Sequence, residues 1–226
     1  MDMKGSIAAI KDAITKSTAE RTSPEVISAA YAVVYLIGGV LLASARLLGA
    51  AGPFGMAAVA ASGAGLNGVA ALIGAAIGYI ISCGLAGSIR YLAAIVLVYT
   101  ISFAFQDTKF ASKSVFAPAT AAVSALSNGI LSSFTSVFTQ APAAAVVLIE
   151  TVFSFGGCWF FREAMSGRER TTESEELRYA GSVLITAAVL LMAVSQIEIF
   201  GAISLGRLVA VSYTHLRAHE TRSNLV

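Results

Sequence analysis

From Val26 to Ala45 the chain carries no charge and is almost wholly apolar, and a second such run begins at Phe54. A helix of about 20 apolar residues crosses the hydrocarbon core of a bilayer, so the first run has the length of one membrane span. Between the two runs lies Ser44-Ala45-Arg46-Leu47-Leu48-Gly49-Ala50-Ala51-Gly52-Pro53-Phe54-Gly55. Arg46 falls where the first span should leave the hydrocarbon. Gly49, Gly52 and Pro53 supply a turn, because Gly tolerates left-handed dihedrals and Pro lacks the N–H that a continuing helix needs. Pro53 also suits the first turn of the next helix. The rest of the chain repeats this plan of apolar helix and short turn.

Charged residues make up 12% of the sequence and hydrophobic ones 57%, against about 25% charged in an ordinary soluble domain. So little polar surface cannot cover a soluble core, and the composition points to an all-α, polytopic transmembrane bundle in the cell membrane. The lipid bilayer is the expected partner. The formal net charge is only +2, and no nucleic-acid partner is expected. Cys83 and Cys158 sit in apolar runs without CxxC spacing or a nearby His, and read as small apolar residues, not as a disulfide or metal site. About 25 mostly polar residues precede the first span without an h-region, so no cleavable signal peptide is expected.

Three regions follow: a cytoplasmic N-terminal segment over residues 1–25, a multi-span membrane region over 26–211, and a tail over 212–226. In the first, Ile7, Ile10 and Ile14 share one helical face, which suits either a short surface helix or a solvated N-terminus. Thr22-Ser23-Pro24-Glu25 has capping-box spacing with Pro in the first turn, so a helix should begin there. Seven spans are expected: Val26–Ala45, Phe54–Leu66, Gly68–Gly87, Ile89–Phe105, Phe116–Phe134, Ala141–Phe161 and Tyr179–Phe200. The second is short and either half-inserted or continuous with the third through Asn67. Ile203–Val211 reads as an eighth span cut short.

Lys and Arg in short loops set the orientation. With the N-terminus inside, Lys4, Lys11, Lys16, Arg21, Lys109, Lys113, Arg162, Arg168, Arg170 and Arg178 are cytoplasmic, and Arg46, Arg90 and Arg207 lie opposite. The loop from Arg162 to Arg178 is the one substantial hydrophilic connection. Its mixed charges read as a solvated, partly helical hairpin before they read as a docking surface.

Within the spans, Ala70, Gly74, Gly78 and Ser82 recur every four residues, a small-residue stripe that lets two helix backbones approach closely inside one molecule. Ser124, Ser127, Asn128, Ser132 and Ser133 of the fifth span suit weak bonds to their own or a neighbouring helix better than a pore lining. Glu150 is the only acidic residue near the centre of a span. An intramembrane carboxylate is costly and is a functional candidate by default. With no basic residue expected at its depth, a protonated, hydrogen-bonded structural role is favoured over proton relay or cation binding. Glu198, near the far end of the seventh span, is expected to reach the headgroups.

His215 and His219 have the i, i+4 spacing of a zinc pair, with Glu220 adjacent. The zincin motif places Glu directly after the first His, where this chain has Leu216. Residues 212–226 moreover break an apolar pattern abruptly and resemble translated sequencing-adapter sequence. The tail is therefore expected to be foreign to the natural protein, and both His with it. No P-loop, nucleophile elbow, aspartate cluster or zinc-ligand set appears, so no catalytic, cofactor-binding or metal residue is assigned.

The Arg46, Gly49, Gly52, Pro53, Phe54, Gly55 hairpin after a first span resembles the start of the membrane region of stage II sporulation protein E, a membrane-bound serine phosphatase of spore-forming bacteria. The likeness continues through Gly74 to Gly78, Ser88-Ile89-Arg90-Tyr91-Leu92 and Phe200 to Arg207, and covers roughly Val26 to Val211. It implies a membrane anchor for a cytoplasmic, PP2C-type phosphatase domain that these residues do not include. That domain would hold Mn or Mg on clustered aspartates. It also implies forespore sigma-factor activation, self-association and contact with the FtsZ division ring at the polar septum. A small transporter or channel using Glu150 is the competing class, supported by the short second span, which resembles broken helices at binding sites.

Overall fold

The computed structural model describes residues 24–47, 49, 51–134, 144–166, 171–196, 198–199 and 203–204. The expected N-terminal surface helix, the His pair and the whole tail lie outside them. Among the described residues six helices run in order: α1 (Pro24–Ser44), α2 (Pro53–Ser62), α3 (Leu66–Phe105), α4 (Phe116–Phe134), α5 (Ala144–Ala164) and α6 (Glu173–Gln196). A two-residue antiparallel ribbon follows, β1 (Glu198–Ile199) paired with β2 (Ile203–Ser204). The fold is otherwise all-helical. Helix α1 is described from Pro24, with Glu25 in its first turn, and Thr22 and Ser23 of the capping pattern lie outside the described residues.

Among the described residues four helices are long and apolar enough to cross a membrane: α1 from Glu25, α3, α5 and α6. Their outer faces carry large apolar side chains with nothing over them, such as Val34, Ile81, Leu85, Leu184 and Leu191, each at least 65% exposed. A water-soluble monomer rarely shows contiguous apolar patches beyond a few hundred Å². The exposure is what a lipid-facing surface requires, and it is compatible with a membrane protein.

Helix α3 is a hairpin. Gly84 interrupts it with φ 68° and ψ 170°, a left-handed backbone that only Gly adopts cheaply. A Cβ on Gly68 would lie 3.3 Å from the Tyr99 ring, whereas a straight helix would separate these residues by roughly 46 Å. The arm before Gly84 and the arm after it therefore run back along each other. The turn falls at Gly84 and not between Gly87 and Ile89, because only Gly84 takes positive φ in that region.

Other boundaries also move. Helix α2 ends at Ser62, and Gly63 at φ 75° separates it from α3, so the second apolar run does not continue through Asn67. Helix α5 is described from Ala144 and reaches Ala164, and the expected start at Ala141 lies outside the described residues. Helix α6 begins earlier than expected, at Glu173, and stops at Gln196, which leaves Glu198 in the ribbon instead of on a helix. An eighth helix does not start at Ile203, because Ile203 and Ser204 are strand.

The core sits around α2. Every residue from Pro53 to Ala60 is buried, and α2 packs against α1, α3, α4 and α5. The first arm of α3 lies on α1 through small residues. A Cβ on Gly74 would collide with the Leu36 carbonyl oxygen, and one on Gly78 with the Val40 carbonyl oxygen. From the other side, a Cβ on Gly39 would lie 2.7 Å from the Ala71 carbonyl oxygen. Ala70 is buried on the same stripe, and Ser82 bonds locally, its Oγ 3.4 Å from the Tyr79 carbonyl oxygen.

The two ends of the bundle differ. At one end Arg46 hydrogen-bonds the Cys83 sulfur beside the α3 bend, and Gln196 at the end of α6 brackets the Arg46 backbone. The Gln196 side chain accepts from the Arg46 N–H and donates to the Arg46 carbonyl, both at 2.8 Å. At the other end Arg162 donates to the Ser114 carbonyl at 3.2 Å, and an Arg178–Glu163 ion pair at 3.4 Å ties α6 to α5.

Candidate functional site

The chain between α1 and α2 does not leave the protein as a simple loop. Leu47 and Ala51 pair backbone to backbone at 2.8 and 3.0 Å, with Gly49 at φ 71° making the tight return. Ala45, Ala51 and Gly52 are buried. Arg46, expected at the membrane exit, is only partly exposed, and its guanidinium sits 5.9 Å from the Tyr91 ring centroid. The segment thus dips into the bundle and delivers Gly52 and Pro53 to the interior.

Two tyrosines receive it. Tyr79 and Tyr91 come from opposite arms of the α3 hairpin and stack face to face. The Tyr79 hydroxyl donates to the Gly52 carbonyl oxygen and accepts from the Met56 N–H at 3.2 Å. A Cβ on Gly55 would lie 2.6 Å from the Tyr79 hydroxyl, and one on Gly52 3.1 Å from its ring. Those two glycines are therefore required by the aromatic wall they lie on. Phe54, 4% exposed, meets Phe153 edge-on at 6.3 Å and Phe161 at 6.2 Å, which binds the same turn to α5.

Glu150 closes the site from α5. Its carboxylate is 2% exposed and forms an ion pair with Arg90. The same oxygen accepts from the Tyr91 hydroxyl at 2.6 Å and from the Gly52 N–H at 3.2 Å. Gly52 caps α2 and Pro53 is its first helical residue. The carboxylate therefore meets the positive end of the α2 dipole as well as a guanidinium. One turn along α5, Ser154 donates to the Pro53 carbonyl oxygen at 3.2 Å. Arg90 also bonds the Tyr91 hydroxyl and lies over the Tyr91 ring at 4.3 Å, while Asn128 of α4 donates to the Arg90 backbone carbonyl.

Glu150 is thus not without a basic partner. The sequence places Arg90 beside a turn, among the cations opposite the cytoplasm. Because the chain reverses at Gly84, Arg90 lies more than a turn down the second arm, level with Glu150. A buried charge left single costs several kcal/mol (order of magnitude), and pairing with saturated hydrogen bonding offsets that cost. The signal was present in the sequence: Arg90 is the only charged residue between Arg46 and Asp107, and Glu150 the only one between Lys113 and Arg162. Tyr79, Tyr91 and Gln196 carried no such signal.

Of the other candidates, Ser132 and Ser133 bond back to Gly129 at 2.9 Å each, and only Asn128 reaches across to another helix. Ser124 is fully buried, and its hydroxyl has no partner among the described residues. Cys158 is buried and Cys83 partly so, and both thiols are free. Among the described residues, no group of three or more His, Cys, Asp or Glu could hold a metal ion. One Glu150 oxygen is engaged by three donors, from Arg90, Tyr91 and Gly52. Comparison with protein families, with curated proteins and with solved structures finds no match for this chain.

Proposed function

We propose that the chain is a polytopic membrane anchor whose interior is fixed by the Arg90–Glu150 pair. The observation that carries this is the engagement of one Glu150 oxygen by three donors from three different segments of the fold. Its carboxylate is met by Arg90, the Tyr91 hydroxyl and the Gly52 N–H, and is shut off from the surface. A buried group held this way ties α5 to α3 and to the start of α2. Seven passes fit the geometry: α1, the inward-dipping segment with α2, the two arms of α3, then α4, α5 and α6. Helix α2 alone gives only about 15 Å, but irregular backbone is tolerated at membrane depth when protein surrounds it. The end bearing Lys109, Lys113, Arg162 and Arg178 is cytoplasmic by the positive-inside rule.

The particular anchor is that of a stage II sporulation protein E-like serine phosphatase, and the resemblance over Val26 to Val211 supports this. In that family catalysis belongs to a metal-dependent cytoplasmic domain outside these residues, and self-association and the FtsZ ring involve the same cytoplasmic part. The test is localisation: a fluorescently tagged chain in a sporulating bacterium is expected to collect at the polar septum. Uniform membrane fluorescence would argue against the assignment.

A transporter built on Glu150 is the second reading. It draws on the half-length α2, whose N-terminus meets a buried charge as in discontinuous transporter helices. Proton or sodium flux in vesicles that is abolished by Glu150→Gln would favour it over the anchor.

A further inference from the structure

A cavity of about 200 Å³ opens at the end of the bundle that carries Arg162, away from the Arg90–Glu150 site. Its walls include Gly63 after α2, Ser102 and Gln106 near the end of α3, Ala117 in the first turn of α4, and Arg162 of α5. We propose that this cavity binds a phosphate group.

Four features converge on a tetrahedral oxyanion. Ser102 is 7% exposed, and its hydroxyl is buried with no hydrogen-bond partner among the described residues. A buried hydroxyl left unpaired is costly, and a bound acceptor would remove the cost. Arg162 supplies a guanidinium whose fork matches phosphate oxygens. Its one described bond, to the Ser114 carbonyl, holds it at the mouth beside the start of α4. The first turn of α4 lines the opening; there the Phe116 and Ala119 N–H groups already donate to the Lys113 and Val115 carbonyls and Pro118 has none, so the Ala117 N–H is the first-turn donor left for a ligand. Gln106 adds an amide. The volume also suits the ligand. A water takes about 30 Å³ in the liquid, so the cavity exceeds a few waters and holds one phosphate comfortably.

Two sources share this chemistry, a free phosphate and the headgroup of an anionic phospholipid. Basic pockets between helices on the cytoplasmic side hold lipid headgroups in other membrane proteins. Lys109 and Lys113, exposed on the loop between α3 and α4, lie at the same end of the chain's path.

The full chain is purified in detergent and its thermal unfolding followed with inorganic phosphate, then in nanodiscs of pure phosphatidylcholine or with phosphatidic acid added. Ser102→Ala and Arg162→Gln are measured alongside. Ser102→Ala removes an unpaired hydroxyl, so without ligand it should unfold at the same temperature as the parent or higher. With ligand, each variant is expected to need about tenfold more phosphate or phosphatidic acid for the same shift. A shift with inorganic phosphate assigns a soluble ligand; a shift with phosphatidic acid alone assigns a headgroup. No shift with either, or a shift unchanged by Ser102→Ala, overturns the proposal, and Ser102→Ala keeps the test valid if Arg162→Gln fails to fold.

Discussion

Tyr79 and Tyr91 stack with ring centroids 4.5 Å apart and planes 9° from parallel, although a straight helix would hold them roughly 18 Å apart. The reversal at Gly84 makes the stack, and the stack presents two hydroxyls to different partners. Tyr79 serves the Gly52 carbonyl and the Met56 N–H, and Tyr91 serves Glu150. Tyr79→Phe keeps the ring and leaves two buried backbone groups short of a partner, at a cost of about 1–3 kcal/mol. Tyr79→Leu loses the stack as well and should cost about 1 kcal/mol more. Unfolding of both variants in detergent checks the order. A Tyr79→Phe protein as stable as the parent would remove the hydroxyl from the account.

The Arg90–Glu150 pair should show strong coupling. Removing either partner leaves a charge buried and unpaired, at a cost of about 3–5 kcal/mol. Replacing both, as Arg90→Met with Glu150→Leu, removes both charges and should cost far less than the sum of the singles. A double-mutant cycle read by denaturant unfolding in micelles measures this. Additive losses would mean that the two residues do not act as a pair.

How much of this was legible in the sequence depends on the kind of signal. The helices were, because apolar length and turn residues are local: α4 spans Phe116–Phe134 as expected, and α1 is described from Pro24 through Ser44. The face between α1 and α3 was half legible. The stripe Ala70, Gly74, Gly78 is periodic, but nothing local names Leu36 and Val40 as the backbone it meets. The site was legible only as two isolated charges, Arg90 and Glu150, with nothing local to pair them. A rule that counts cations in loops assigned Arg46 and Arg90 to the aqueous face, and the structure folds both inward. The reason is the tight return at Gly49, which sends Ala51 and Gly52 inside, and the bend at Gly84, and each depends on a glycine φ that sequence spacing does not reveal. Glu198 was misplaced because it pairs in the short ribbon with Ser204 and does not continue the helix, a long-range pairing that apolar length does not reveal.

Helix packing gives a third expectation. Gly78→Leu drives a bulky side chain into the Val40 carbonyl and the Ala43 methyl, where even a Cβ has no room. Ile77 is 41% exposed on the outer face, and Ile77→Leu conserves volume. Overpacking a tight contact costs about 1–3 kcal/mol or more, and the conservative exchange less than about 1.5. Thermal stability in detergent should therefore fall for Gly78→Leu and barely move for Ile77→Leu. Equal stability would show that α1 and α3 do not meet closely there.

The hairpin reading of α3 makes the sharpest topological prediction. As one straight helix, 40 residues would extend about 60 Å and pass a 30 Å hydrocarbon core once. Its two ends would then face opposite sides. As a hairpin bent at Gly84, both ends lie on one side and the bend on the other. Single cysteines separate the two cases in a background carrying Cys83→Ser and Cys158→Ala. Cys83→Ser keeps an acceptor for Arg46, and Cys158 has only the space of a small side chain to fill. Gly65, Ala86, Ser112 and Ser174 are all exposed, and a Cβ on Gly65 meets nothing within 4 Å. Each tolerates cysteine, and each samples a different turn. With basic residues cytoplasmic, Gly65→Cys, Ser112→Cys and Ser174→Cys should react with a membrane-impermeant maleimide only after the cells are opened. Ala86→Cys should react in intact cells. Labelling of Gly65→Cys and Ser112→Cys from opposite sides would make α3 a single pass. It would also separate Arg90 from the depth at which Glu150 lies.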